Sequence, residues 1–193
     1  MKNIAVYCGS ATPADPRYVE LGYEVGKTLA LRGIGVVYGG GRLGLMGAVA
    51  AGALENGGTV IGVIPTALAK TEVANHDCTE LHVVDDMHQR KAAFTRLSDG
   101  FITLPGGVGT MDELWEAVSW SQLGYHAKPV GVLNAFGFYD QLLAFNRHMI
   151  EVGFIRPAHQ GIIIAEREMD LLLDRMAAHE PITPIVAMDP DTL

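Results

Sequence analysis

Two glycine-rich turns and two charged clusters are the parts of this sequence with the residue types for chemistry. One turn reads Pro105-Gly106-Gly107-Val108-Gly109-Thr110, and the other runs Gly39-Gly40-Gly41-Arg42-Leu43-Gly44-Leu45-Met46-Gly47. A smaller turn, Cys8-Gly9-Ser10, lies near the N-terminus. Glycine lets backbone approach an anion closely. A helix that starts just after such a turn adds free N–H groups and the positive end of its dipole. Phosphate is the ligand such turns suit. Asp112 and Glu113 follow the first turn, and Met87-His88-Gln89-Arg90-Lys91 places two cations side by side. Arginine offers a planar fork to phosphate, lysine a point charge. A carboxylate beside a phosphate loop repels its ligand. It becomes useful where positive charge develops, as in glycosidic cleavage through an oxocarbenium-like transition state.

Each of these features also has a plainer explanation. One glycine cluster alone is as readily a tight turn as a ligand site, whereas two on one sheet edge favour a ligand. Gly39-x-Gly41-x-x-Gly44 matches a dinucleotide fingerprint but follows the second strand rather than the first, and no GK[ST] marks a Walker loop. Thr110-x-x-Glu113 fits a capping box, with Thr110 as N-cap, as well as it fits catalysis. Arg90 and Lys91 fit a solvated helix face, although two cations at a helix start oppose its dipole. Cys8 reads as a small apolar residue at a strand end more readily than as a nucleophile. Trp115, Trp120 and Leu123 read as core or subunit contacts. The histidines lack HxxH or HExxH spacing, so no metal site is expected.

The elements that must position these residues alternate along the chain. Apolar runs suited to strands are Ile4–Cys8, Ile34–Tyr38, Val60–Ile64, Leu81–Val84, Phe101–Leu104, Val130–Leu133 and Ile162–Ile164. Most are apolar throughout, as parallel strands covered on both faces are. Helical periodicity fills Tyr18–Leu31, Leu45–Leu54, Asp86–Leu97, Thr110–Leu123, Tyr139–Ile150 and Arg167–Ala178. The alternation predicts an α/β, Rossmann-like, doubly wound and mostly parallel sheet of about seven strands, with helices on both faces. The glycine turns then fall at strand C-termini, where open α/β sheets bind ligands. Thr66–Thr79, with Glu72, has no period and reads as a functional or mobile loop. Residues 1–180 are expected to form one domain and 181–193, with Pro181, Pro184 and Pro190, an extended tail.

Composition narrows the function classes. The 193 residues carry 14 Lys+Arg against 22 Asp+Glu, a net charge of −8, with 49% hydrophobic residues and 23 glycines. An acidic chain without a basic run does not bind nucleic acid by bulk charge. No apolar run is long enough to span a membrane, and the N-terminus lacks a signal-peptide layout. Two cysteines without dense spacing fit a reduced, cytoplasmic protein.

Taken together, these motifs resemble the LONELY GUY family, the cytokinin riboside 5′-monophosphate phosphoribohydrolases, formerly described as lysine decarboxylases. The matching residues are Pro105-Gly106-Gly107-Val108-Gly109-Thr110-Met111-Asp112-Glu113, for the family's PGGxGTxxE, and Met87-His88-Gln89-Arg90-Lys91. Tyr38–Gly47, Gln122-Leu123-Gly124 and Lys128-Pro129-Val130-Gly131 extend the match. Val108, where plant members usually have Tyr, and Ala11, where many have a second serine, depart from the pattern.

The resemblance implies hydrolysis of the N-glycosidic bond of N6-modified adenosine 5′-monophosphates to free base and ribose 5-phosphate. It implies Arg90 and Glu113 as the catalytic pair. Glu72, Met87, Arg90, Lys91 and Gly106, Gly107, Val108, Gly109, Thr110, Met111 and Asp112 are implied at substrate-contacting positions. The turns add Ser10, Gly39, Gly40 and Gly41 as phosphate-side candidates. No metal or organic cofactor is expected, and a homodimer is. The alternatives are an AMP nucleosidase, a non-catalytic nucleotide or molybdenum-cofactor carrier, and a dinucleotide oxidoreductase. A lysine decarboxylase fits poorly, because no lysine sits in a recognisable pyridoxal-binding motif.

Overall fold

Seven strands, parallel throughout, form one sheet in the order β4-β3-β2-β1-β5-β6-β7. The computed structural model describes residues 1–69 and 74–186. The strands are β1 (Asn3–Tyr7), β2 (Gly35–Tyr38), β3 (Val60–Pro65), β4 (Glu80–Val84), β5 (Gly100–Thr103), β6 (Val130–Leu133) and β7 (Ile163–Glu166). The helices are α1 (Arg17–Leu31), α2 (Gly44–Glu55), α3 (Thr66–Ala69), α4 (Met87–Leu97), α5 (Val108–Leu123), α6 (Asp140–Glu151) and α7 (Met169–Ala177). The predicted elements all occur, with ends shifted by a residue or two. Thr66–Thr79 is not wholly irregular, since its first four residues form α3 and Ala74 makes an isolated bridge to Gly41.

The apolar strand runs are apolar on both faces because both faces are covered. On one face Ile4, Val6, Val36 and Ile102 pack against Val25 and Leu29 of α1, Val49 and Ala53 of α2, and Leu172 and Met176 of α7. On the other, Ala5, Tyr7, Val37 and Phe101 meet Phe94 of α4 and Leu114 and Val118 of α5. Glycine lets α1 and α2 cross closely. A Cβ on Gly26 would stand 2.0 Å from the Val49 carbonyl, and one on Gly52 2.0 Å from that of Tyr23. Helix α6 differs, having no buried residue.

The winding direction reverses between β4 and β5, so β1 lies between β2 and β5 and its C-terminal end is the topological switch point. Val6 pairs with Tyr38 and Tyr7 with Thr103. The two loops leaving this point touch, because the Gly9 N–H donates to the Pro105 carbonyl at 3.1 Å. A Cβ on Gly9 would meet Gly106 Cα at 3.3 Å, so glycine brings these loops together. Ligands of open α/β sheets bind at such a crevice.

Candidate active site

The turn at 105–107 delivers the chain into α5 with no side chain over the helix end. Gly107 is the N-cap and makes no side-chain cap bond. This overturns the capping-box expectation. The helix starts at Val108, three residues before the position that a Thr110 N-cap requires, because glycine is an acceptable N-cap in its own right. The first-turn N–H groups of Val108, Gly109 and Thr110 have no partner within the helix by its geometry. No acidic residue occupies that turn. Asp112 and Glu113 fall in the second turn, so the anion-binding end of the dipole is unopposed.

Freed from a capping role, Glu113 faces α4. Its Oε1 lies 3.2 Å from Nη1 of Arg90, and both side chains are more than nine-tenths buried. The Arg90 Nε–H donates to the Val63 carbonyl at 3.2 Å, at the C-terminal end of β3, and its guanidinium stands 5.1 Å from the centre of the Phe94 ring. The start of α4 is capped by Asp86, whose side chain accepts from the Gln89 N–H at 2.8 Å. The Asp86-x-x-Gln89 spacing is the signal that could have placed this cap, and the anionic cap offsets the cations behind it.

Arg90 and Glu113 form one wall of a cleft of about 420 Å³. Gly107, Val108, Gly109 and Thr110 line a second wall, Ser10 and Ala11 a third, and Gly39, Gly41 and Met46 a fourth. Ile64 and Leu68 add apolar surface, and Cys8 lies at the floor. An apolar annex of about 180 Å³ opens from the Gly9–Gly107 rim toward Tyr18, Leu45 and Phe138. Burial, reinforced by the charge of Glu113, holds the Cys8 thiol well above its ordinary value, so it stays neutral and a poor nucleophile.

The other expected site residues are distributed differently. Lys91 does not line the cleft: its Nζ lies 2.6 Å from Glu116 and 3.3 Å from Asp112, clasping α4 to α5 beside the Arg90–Glu113 pair. Met87 is exposed, with its sulfur 4.0 Å from Arg90 Nη1. Met111 turns to a groove between α5 and α6. Gly40 is buried beneath Ile64 and Leu81 with a φ of +72°, which explains a glycine there by turn geometry. Gly106 packs on Thr110, where a Cβ would stand 2.1 Å from Oγ1, and it lines the annex. Glu72 lies outside the described residues.

Burial pushes the Glu113 carboxyl up to about 7, with Asp112 and Glu116 adding to the rise and Arg90 and Lys91 opposing it. A buried ion pair is a weak device for stability, since an apolar pair of similar size is often no worse. Set over a cleft at a sheet's switch point, it is instead a candidate for chemistry. One face offers backbone donors to an anion. In the same cleft a carboxylate and a guanidinium face each other, the first suited to developing positive charge and the second to negative. Among the described residues no cluster of His, Cys, Asp or Glu could hold a metal ion, and no helix is long and apolar enough to cross a membrane.

Residues 46–176 match the family model described as "Possible lysine decarboxylase". The chain is 47% identical over 176 residues to a cytokinin riboside 5′-monophosphate phosphoribohydrolase of Oryza sativa subsp. japonica, spanning 90% of this chain and 73% of that one. It is 45% identical over 170 residues to the protein of the same name from Rhodococcoides fascians, spanning 88% and 86%. Among solved structures, the molybdenum cofactor carrier protein of Chlamydomonas reinhardtii superimposes with a TM-score of 0.71 over 92% of this chain and 98% of that one. At 22% identity this likeness speaks to the fold alone.

Proposed function

The chain belongs to the cytokinin riboside 5′-monophosphate phosphoribohydrolase family, and from that premise we propose how its cleft performs the family's reaction. It is a hydrolase of the N-glycosidic bond of N6-modified adenosine 5′-monophosphates. The observation that carries the proposal is the buried Arg90–Glu113 pair, 3.2 Å apart, on the wall beside the open α5 N-terminus.

The 5′-phosphate sits on the N–H groups of Val108, Gly109 and Thr110, and the ribose extends toward Glu113. As the bond from C1′ to the base breaks, its electron pair leaves with the base and positive charge spreads over C1′ and the ring oxygen. The Glu113 carboxylate stabilises that charge and orients the water whose oxygen bonds to C1′. Arg90 faces the departing base and offers N–H donors to the negative charge gathering on it. One water proton ends on the base, and the products are free base and ribose 5-phosphate. Met46, Ile64 and Leu68 give the base an apolar wall.

Decarboxylation of lysine, which the family model's description suggests, does not fit the residues. A pyridoxal enzyme needs a lysine to form a Schiff base. Among the described residues no lysine lines the cleft, and Lys91 is clasped by Glu116 and Asp112.

Helix α6 supports a homodimer. Leu142, Phe145 and Met149 present an apolar stripe that, with Met111 and Trp115, lines an open groove of about 380 Å³. A second copy covers this stripe in our proposal, and the protein works in the cytoplasm.

The test is a substrate panel of N6-isopentenyladenosine 5′-monophosphate, AMP and the two unphosphorylated nucleosides. Base release from both monophosphates but from neither nucleoside, at higher kcat/KM for the N6-modified one, is expected. Preference for AMP makes the protein a salvage nucleosidase. Turnover of the nucleosides at the rate of the monophosphates overturns the phosphate site.

A further inference from the structure

Gly39 directly follows β2 and lies against the Arg90 guanidinium. A Cβ there would stand 2.1 Å from Arg90 Nη2 and 3.1 Å from Met46 Cε. The backbone does not demand glycine at this position, because Gly39 is absent from the positive-φ region that its neighbour Gly40 occupies. The requirement is for space, and the atom filling that space belongs to Arg90. Further contacts fix the guanidinium: Nε–H to the Val63 carbonyl at 3.2 Å, the Phe94 ring at 5.1 Å, Glu113 Oε1 at 3.2 Å and the Met87 sulfur at 4.0 Å. The turn behind Gly39 is itself held. The Asn75 N–H donates to the Gly40 carbonyl at 2.8 Å, the Asn75 amide donates to the Tyr38 hydroxyl at 3.0 Å, and Gly41 bridges to Ala74.

We propose that Gly39 is a positioning residue for the reaction, its missing side chain leaving one wall of a seat that sets where the Arg90 guanidinium stands relative to Glu113. The proposal rests on the Arg90–Glu113 mechanism above. It gives Gly39 a role other than direct contact with phosphate. A methyl group at this position displaces the far end of a flexible side chain, not backbone, so the fold is kept and the pair is altered. Because Nε stays anchored to Val63, the tip swings and its distance to Glu113 changes. The groups facing Glu113 are Arg90 and Lys91 from α4, Asp112 and Glu116 from its own helix, and Tyr7 and Cys8 from β1 and its end. Of these, the Arg90 guanidinium lies nearest to a Cβ placed on Gly39. Moving it weakens the larger of the two attractions, from Arg90 and from Lys91, that favour the charged Glu113 carboxylate.

The experiment compares the parent with Gly39→Ala, Arg90→Gln and the double variant. It reads kcat, ribose 5-phosphate affinity and the Glu113 carboxyl titration by ¹³C NMR. Gly39→Ala is expected to lower kcat by about 10²-fold, the scale of a one-ångström misplacement. It should raise the Glu113 titration and leave ribose 5-phosphate affinity unchanged. In the Arg90→Gln background the same substitution should change neither kcat nor the titration, since partners acting through each other are non-additive. A Gly39→Ala protein that folds only in that background supports the seat equally.

An unshifted Glu113 titration, equal losses in both backgrounds, failure to fold in both, or ribose 5-phosphate affinity lost in step with kcat overturns the proposal. The last result makes Gly39 a phosphate contact. Absence of turnover in the parent sinks the hydrolase mechanism instead, and the Glu113 titration in the two backgrounds still decides the seat.

Discussion

Glu113 is where burial and charge act most directly on chemistry. Its carboxyl, pushed up to about 7, is half-charged near neutral pH. If the carboxylate is the active form, kcat/KM falls as pH falls through about 7, because protonation removes the charge that stabilises C1′. A pH–rate profile with the limb reversed, active only below that value, would make Glu113 a general acid. The same shift acts on stability. The folded-state value lies above the ordinary 4.5, so the folded protein holds the proton more tightly between 4.5 and about 7. Stability from this group is therefore full below 4.5 and is lost as pH rises to about 7. Glu113→Gln removes that slope, which is at most about 3 kcal/mol for this size of shift. Urea unfolding of parent and variant at pH values on either side of the window measures it. At this scale residue spacing alone left Glu113 undecided, and the family resemblance is what pointed to catalysis. The Thr110-x-x-Glu113 spacing satisfies capping rules, and only the start of the helix at Val108 removes that alternative.

The elements were legible because their physics is local. Apolar runs of three to five residues and helical stripes appear in the sequence wherever the chain forms strands and helices. Helix ends were less so, since a glycine N-cap at Gly107 leaves no side-chain signature. Strand order was not legible either, and with it the meeting of Arg90 and Glu113, which lie on different helices and owe their contact to packing on one sheet face. The glycines of α1 and α2 give a prediction at this scale. Gly26→Ala places a methyl 2.0 Å from the Val49 carbonyl and 2.9 Å from the Ala53 nitrogen, both backbone atoms that cannot turn aside. The helices must separate, at a cost of about 1–3 kcal/mol or somewhat more. Thermal unfolding should report a lower Tm, and a Tm equal to the parent's would mean that the crossing is looser than described. A related test lies at the switch point. Gly106→Ala sets a methyl 2.1 Å from Thr110 Oγ1 and 2.8 Å from the Gly9 nitrogen. Both the α5 N-terminus and its neighbouring loop must shift, so ribose 5-phosphate binding by calorimetry should weaken about tenfold or more.

The whole molecule reconciles an acidic chain with an anionic substrate. A net charge of −8 excludes binding by bulk attraction, yet a helix N-terminus supplies donors without net charge. The all-parallel order places that N-terminus and the first-strand loop on either side of the switch point. The surface of α6 belongs to this scale too. Phe145, 57% exposed on an apolar stripe, is the centre of the proposed subunit contact. Phe145→Arg should convert the proposed dimer to monomer in sedimentation velocity, whereas a parent already monomeric at micromolar concentration would leave α6 without a second copy to cover it. The central claim is that Arg90 and Glu113 cleave the glycosidic bond of a nucleotide held by its phosphate. The most direct measurement is product analysis of N6-isopentenyladenosine 5′-monophosphate incubated with the parent and with Glu113→Gln. The account predicts equimolar free base and ribose 5-phosphate from the parent. The variant should be slower by about 10²–10³-fold, the scale of losing one electrostatic group, while still binding ribose 5-phosphate. Parent and variant releasing base at the same rate, or a parent that releases none, would contradict it.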